Sequence, residues 1–128
     1  MKQLIKTFAA FAALAVSTSA WADVSCPFQI TGLNVTPDGW VNISVAGSGY
    51  VRGWWICPTS GSTTVNDGYG SRTISSDSCK TIYSQLITSK ATGRRINLIF
   101  HGPADCTSAN IPADGTMSLF PTLVSIVD

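Results

Sequence analysis

Residues 40–58 read WVNISVAGSGYVRGWWICP, two strands and the reversal between them. In the stretch 40–45, Val41, Ile43 and Val45 fall on one face and Trp40, Asn42 and Ser44 on the other, the alternation of a strand with one buried side. Gly47-Ser48-Gly49 supplies the turn, because glycine accepts backbone angles that other residues resist. In 50–57 the two faces are Tyr50, Arg52, Trp54, Ile56 and Val51, Gly53, Trp55, Cys57, and Pro58 ends the run.

Working outward, residues 28–36 form an earlier strand whose inward parity changes. Phe28 and Ile30 share one face, Leu33 and Val35 fall on the other, and Gly32 stands at the switch, as a bulged, bending strand requires. Pro37-Asp38-Gly39 turns the chain into the next strand. Downstream, 59–74 is rich in Thr, Ser, Gly and Asn and contains the turn signal Asn66-Asp67-Gly68, which predicts a long mobile loop. A helix follows, capped by Ser76 or Ser78, with Cys79, Ile82, Tyr83, Leu86 and Ile87 in one apolar stripe and Gly93 as its stop,. Residues 95–101 make a fourth strand burying Ile96, Leu98 and Phe100, and Gly102-Pro103 closes it. After an irregular stretch at 102–116, residues 117–127 make a fifth, in which Phe120, Thr122, Val124 and Ile126 alternate and Pro121 argues for an edge position,.

The order is βββαββ, mainly β with one helix. A small five-stranded Greek-key barrel of the OB type has this order, and a bent first strand serves both halves of such a barrel. An α+β sandwich is the other arrangement the order allows.

The N-terminus carries Lys2 and Lys6, an apolar run from Phe8 to Val16, and Ala20-Trp21-Ala22, the pattern of a signal peptide covering 1–22. The expected product is exported, periplasmic or secreted, with one domain at 23–128. No apolar run in the chain is long enough to insert into a membrane,. The leader holds two of the eight Lys and Arg and none of the seven acids, leaving six cations against seven aspartates. So sparse and balanced a set gives no case for nucleic acid. The pair Arg94-Arg95 reads as a solvated turn.

Cys26, Cys57, Cys79 and Cys106 all follow the leader, and an even count in a small exported domain reads as two disulfides. Four cysteines allow three pairings. The barrel topology favours Cys57 with Cys79, closing the loop before the helix, and Cys26 with Cys106, because the first and fourth strands are antiparallel neighbours. Zinc sites use pairs of cysteines two to four residues apart, and no gap here is that short.

Catalysis needs a group exchanging protons near neutral pH, a metal, or an activated nucleophile. The one histidine, His101, reads as a strand-end residue beside a Gly-Pro turn, with Asp105 four residues on. No serine sits in a G-x-S-x-G elbow. Gly47-Ser48-Gly49 and Gly68-Tyr69-Gly70 lack the lysine and following helix of a phosphate loop,. The expectation is a protein without enzymatic activity, cofactor or metal. Asn34-Val35-Thr36 and Asn42-Ile43-Ser44 match the glycosylation pattern, both inside strands. The stronger functional feature is the row Tyr50, Arg52, Trp54, with Trp55 on the opposite face. Flat rings beside hydrogen-bonding groups suit sugar or protein surfaces, and the competing reading is that both tryptophans pack in the core.

Three blocks, Trp54-Trp55-Ile56-Cys57, Ser78-Cys79-Lys80-Thr81-Ile82-Tyr83-Ser84-Gln85-Leu86 and Thr92-Gly93-Arg94-Arg95-Ile96-Asn97-Leu98, resemble the receptor-binding B subunits of the subtilase-cytotoxin and typhoid-toxin group over roughly residues 54–101. The resemblance implies an exported OB-fold protein that assembles as a homopentamer, binds sialylated or related glycans, and carries a separate toxic subunit. Those subunits engage sugar through a hydroxyl residue of the first strand and an aromatic near the end of the fourth. Thr31, before Gly32, is the counterpart of the first, while Ile99-Phe100-His101 departs from the second by lacking a tyrosine. The resulting candidate ligand-binding residues are Thr31, Tyr50, Arg52 and Trp54. A monomeric periplasmic or secreted protein that binds or inhibits a protein partner is the alternative function.

Overall fold

The alternating runs pair into a six-stranded sheet in a computed structural model that describes residues 23–128; the expected leader, 1–22, lies outside the described residues. The elements are β1 (Asp23–Val35), β2 (Trp40–Gly47), β3 (Tyr50–Pro58), β4 (Ser62–Asn66), β5 (Ser71–Ser75), α1 (Ser76–Thr92), β6 (Arg95–His101), β7 (Gly115–Thr116) and β8 (Leu123–Val127). The main sheet runs β7-β3-β2-β1-β6-β8, and β4 and β5 form a separate hairpin. The chain is thus mainly β with one helix and OB-like in its order.

The bent first strand is where the fold turns. Residues 23–28 of β1 pair with β6, and 29–35 pair with β2. The β2 register passes from Ile30↔Val45 to Gly32↔Ser44, leaving Thr31 as the extra, bulged residue. A Cβ on Gly32 would lie 3.2 Å from the Cβ and Oγ of Ser44, so a side chain at the bend requires Ser44 to give way by a few tenths of an ångström. Phe28 and Ile30 consequently face the core, while Leu33 is half-buried and Val35 exposed.

Three expectations about residues 59–93 need correction. Residues 59–74 are not a mobile loop: β4 and β5 pair from Ser62↔Ser75 to Asn66↔Ser71. Asp67 sits buried in their turn, its Oδ1 accepting the Tyr69 and Gly70 N–H groups and its Oδ2 pairing with Arg72 at 2.8 Å. The helix cap is Ser75, not Ser76 or Ser78; its side chain accepts the Ser78 N–H at 3.2 Å. The stripe is also narrower than expected. Cys79, Leu86 and Ser89 are buried, Ile82 and Tyr83 are partly so, and Ile87 is exposed. Gly93 does end the helix, in the left-handed region at φ 69°, which glycine adopts without a Cβ penalty.

Of the expected fifth strand, 117–127, only the second half pairs, as β8 antiparallel with β6, while the two-residue β7 forms within the stretch expected to be irregular and runs parallel to β3. Pro121 stands between them, where it has no N–H to give a ladder, and the Phe120 N–H turns instead to the Asn66 carbonyl at 2.6 Å. The sheet therefore does not close through a continuous ladder. One segment nevertheless supplies both edge strands, and buried Met117, Phe120 and Pro121 fill the gap between them.

The core is one cluster. Phe28 lies edge-on to Trp54 and Tyr50, with ring centroids 5.8 and 5.9 Å apart. Around it pack Val41, Ile43, Val45, Leu86, Ile96, Leu98 and Phe100, all essentially inaccessible. Cys26 is bonded to Cys106 and Cys57 to Cys79, and no cysteine is free. The expected pairing holds, and two disulfides point to an oxidising environment. No helix among the described residues is long and apolar enough to cross a membrane.

Candidate functional site

The inward row of β3 is committed to the fold. Trp54 is fully buried, and its indole N–H is shared between the carbonyls of Pro112 (3.2 Å) and Ala113 (3.0 Å). The ring has no surface to offer a ligand, so its place among the candidate contacts is corrected to a core position. Arg52 donates from Nε to the Pro112 carbonyl at 3.2 Å and from a terminal nitrogen to the Ser108 carbonyl at 2.8 Å, and its guanidinium lies 4.9 Å from the Tyr50 ring centroid. The Tyr50 hydroxyl donates to the Cys106 carbonyl at 2.9 Å. Burial holds that hydroxyl above its ordinary pKa, in the protonated form that can donate,. All three side chains serve one purpose: they supply donors to the irregular stretch 106–113, whose carbonyls have no ladder.

That stretch is also tied internally. Asp105 Oδ1 accepts from the Thr107 N–H, the Thr107 hydroxyl and Asn110 Nδ2, and the hydrogen bonds from Thr107 and Asn110 hold its carboxyl below the usual carboxylate range. Thr31 lies apart from these residues, exposed at the bulge of β1, where its carbonyl accepts from Lys90 Nζ at 3.1 Å. The structure thus brings Tyr50, Arg52 and Trp54 together and leaves Thr31 separate.

The outward face of the same strands has a different character. Register partners line up across four strands: Asn34↔Asn42 between β1 and β2, Asn42↔Trp55 between β2 and β3, and Trp55↔Thr116 between β3 and β7. Two amides, an indole and a hydroxyl therefore stand in one row. Trp55 is 37 % exposed, while its neighbour Trp54 is fully buried. The inversion follows from parity and is then interrupted: Val41 pairs with Cys57 but Asn42 with Trp55, so Ile56 is an extra residue and both Ile56 and Cys57 turn inward. Trp40, at the start of β2, stands beside this row. Together Trp40, Trp55 and Thr116 form one wall of two adjoining hollows, one of about 110 Å³ toward Asp38 and one of about 180 Å³ toward Thr63 and Asn66 of the hairpin.

Trp40, Trp55 and Thr116 are not among the candidate ligand-binding residues read from the sequence, where Trp55 is only placed on the face opposite Trp54. A signal for Trp55 was present. Ile56 shares Trp54's parity in the sequence, which marks that parity as core and sends Trp55 outward. Nothing local announces Thr116, which reaches the site only through the parallel pairing of β7.

Two other features compete. A larger hollow, about 290 Å³, lies between β5, α1 and the 120–124 segment. Its apolar wall consists of core side chains such as Ile74 and Phe120, and its one cation, Arg72, is paired with Asp67. It presents no exposed aromatic face. At the end of β6, Asp23 Oδ1 accepts the Tyr69 hydroxyl at 3.0 Å and lies 2.9 Å from His101 Nδ1, and the Tyr69 ring stacks on His101 at 3.7 Å. The hydrogen bonds from His101 and then Tyr69 hold the Asp23 carboxyl below its ordinary value, and the bond to Asp23 holds the Tyr69 hydroxyl above its own. This cluster fastens the hairpin turn to the start of β1.

No family model, no curated protein and no solved structure matches the chain.

Proposed function

We propose that the chain is an exported, disulfide-bonded, OB-like protein without enzymatic activity that binds glycans on the outward face of β2 and β3. The observation that carries this reading is the exposed Trp55 ring, set in cross-strand register between Asn42 and Thr116. An indole face packs against the C–H face of a sugar while flanking amides and hydroxyls meet its hydroxyl groups. OB-folds bind oligosaccharides and oligonucleotides on the face of strands two and three and at the loops beside it, and six cations against seven aspartates favour the former,. The toxin B-subunit resemblance supports the same class of ligand and adds a homopentamer with a separate toxic subunit.

A glycan array probed with the wild type and with Trp55→Ala tests the reading. Binding that falls by more than about tenfold in the variant is expected. Absence of signal from the wild type sinks glycan binding, and a monomeric mass in light scattering sinks the B-subunit-like assembly. The alternative, a monomeric periplasmic or secreted protein that binds or inhibits a protein partner, draws on Val51, 62 % exposed on the same strand face as Trp55. Capture of one stoichiometric partner without glycan binding would favour it.

A further inference from the structure

We infer that this site takes a neutral oligosaccharide of at least two sugar units, one ring in each hollow, and rejects anionic glycans; the inference rests on the glycan reading above. Its first support is shape. The two hollows, about 110 and 180 Å³, share Trp40, Trp55 and Thr116 and open to different ends, one to Asp38 and one to Thr63 and Asn66. Each is well below the roughly 300 Å³ at which a pocket encloses a drug-sized ligand, so each suits a single small ring. A ligand that uses the whole site must bridge the shared wall.

The second support is charge. Arg52, Arg72, Lys80, Lys90, Arg94 and Arg95 line neither hollow. The only ionisable side chain in the lining is Asp38, whose Oδ1 is fixed by the Thr36 hydroxyl. A charge-assisted pair with a sugar carboxylate calls for a cation, and a carboxyl at the mouth opposes a like charge. The remaining polar residues of the lining are threonines, a serine and an asparagine, which suit hydroxyl-rich neutral sugars. The site therefore departs from the sialylated ligands that the resemblance implies.

Calorimetry with the full mature chain separates these claims, using a neutral disaccharide found on the array, its component monosaccharides, and its sialic-acid-capped form. The monosaccharides and the capped form should each bind at least about tenfold more weakly than the disaccharide, a difference of about 1.4 kcal/mol. Asp38→Asn, which keeps an oxygen for Thr36, should narrow the gap between capped and uncapped forms several-fold. A monosaccharide that binds as tightly as its disaccharide overturns the two-ring site. A preference for capped glycans overturns the neutral ligand while the glycan reading stands. Absence of binding to every glycan overturns both.

Discussion

On the inward face of β3, Tyr50, Arg52 and Trp54 direct a hydroxyl, a guanidinium and an indole N–H at the carbonyls of Cys106, Ser108, Pro112 and Ala113. On the outward face of the same strand, Val51 and Trp55 remain exposed, and Trp55 is flanked by an amide and a hydroxyl that belong to other strands. Both faces carry an indole and both lie beside polar groups. What separates them is a stretch more than fifty residues downstream that folds against one face and leaves the other open. An irregular segment with unpaired carbonyls becomes part of the core when a strand offers it donors, and the aromatic residues that do so are spent. Those without such a partner remain available for a ligand.

The sharpest way to break this contrast is to truncate the two tryptophans in turn. Trp54→Ala should cost about 3–5 kcal/mol in denaturant unfolding, through the cavity and the lost hydrogen bonds. Trp55→Ala should stay within about 1 kcal/mol of the wild type, since it empties no core site. Equal costs would mean that the two faces are not distinct. Removing the anchor of the downstream stretch comes next. Cys26→Ala with Cys106→Ala opens a closure of 80 residues in sequence and should cost about 2–5 kcal/mol, while glycan binding by the refolded protein survives.

Arg52→Ala should cost about 1.5 kcal/mol. Arg52→Lys should not restore it, because one ammonium cannot span the Pro112 and Ser108 carbonyls as the fork does. Thermal melts of the three proteins check the order, and full rescue by lysine would reduce the contact to simple charge. The smallest effect concerns acid. The folded-state pKa of Asp105, within the gripped stretch, and of Asp23, at the far end of β1, lies below the ordinary 3.8. Each carboxyl therefore adds stability above that value, and the contribution is lost as pH falls through the lower folded one. Asp105→Asn and Asp23→Asn should each flatten the decline in urea midpoint between about pH 4 and pH 2. An unchanged decline in both would remove these carboxyls from the acid response.

Strands with an apolar face were readable because alternation is local: 95–101 and the first two strands of the hairpin at 40–58 lie close to where their residues put them. The cysteine pairing was readable once the strand order was in hand. The β4–β5 hairpin was not, because Ser62–Asn66 and Ser71–Ser75 carry little apolar surface. Their stability comes from Val65 and Ile74 packing into the core and from Asp67 inside the turn. The break at Pro121 was half readable: the proline marked an edge, and the structure has two. The site was hardest. Tyr50, Arg52 and Trp54 form a row in sequence whichever side is core, and only the position of 106–113 decides what they touch.

The bend in β1 also bears on the order in which the chain can assemble. β2 with β3, and β4 with β5, are hairpins whose partners are near in sequence and can meet within microseconds. Residues 23–28 must instead wait for 96–101, and Cys26 for Cys106. Contacts of such long separation slow folding, because the loop must close before the pairing rewards it. The earliest described strand is therefore expected to acquire its second neighbour last, and the rate of that step is where changes at Gly32 should register.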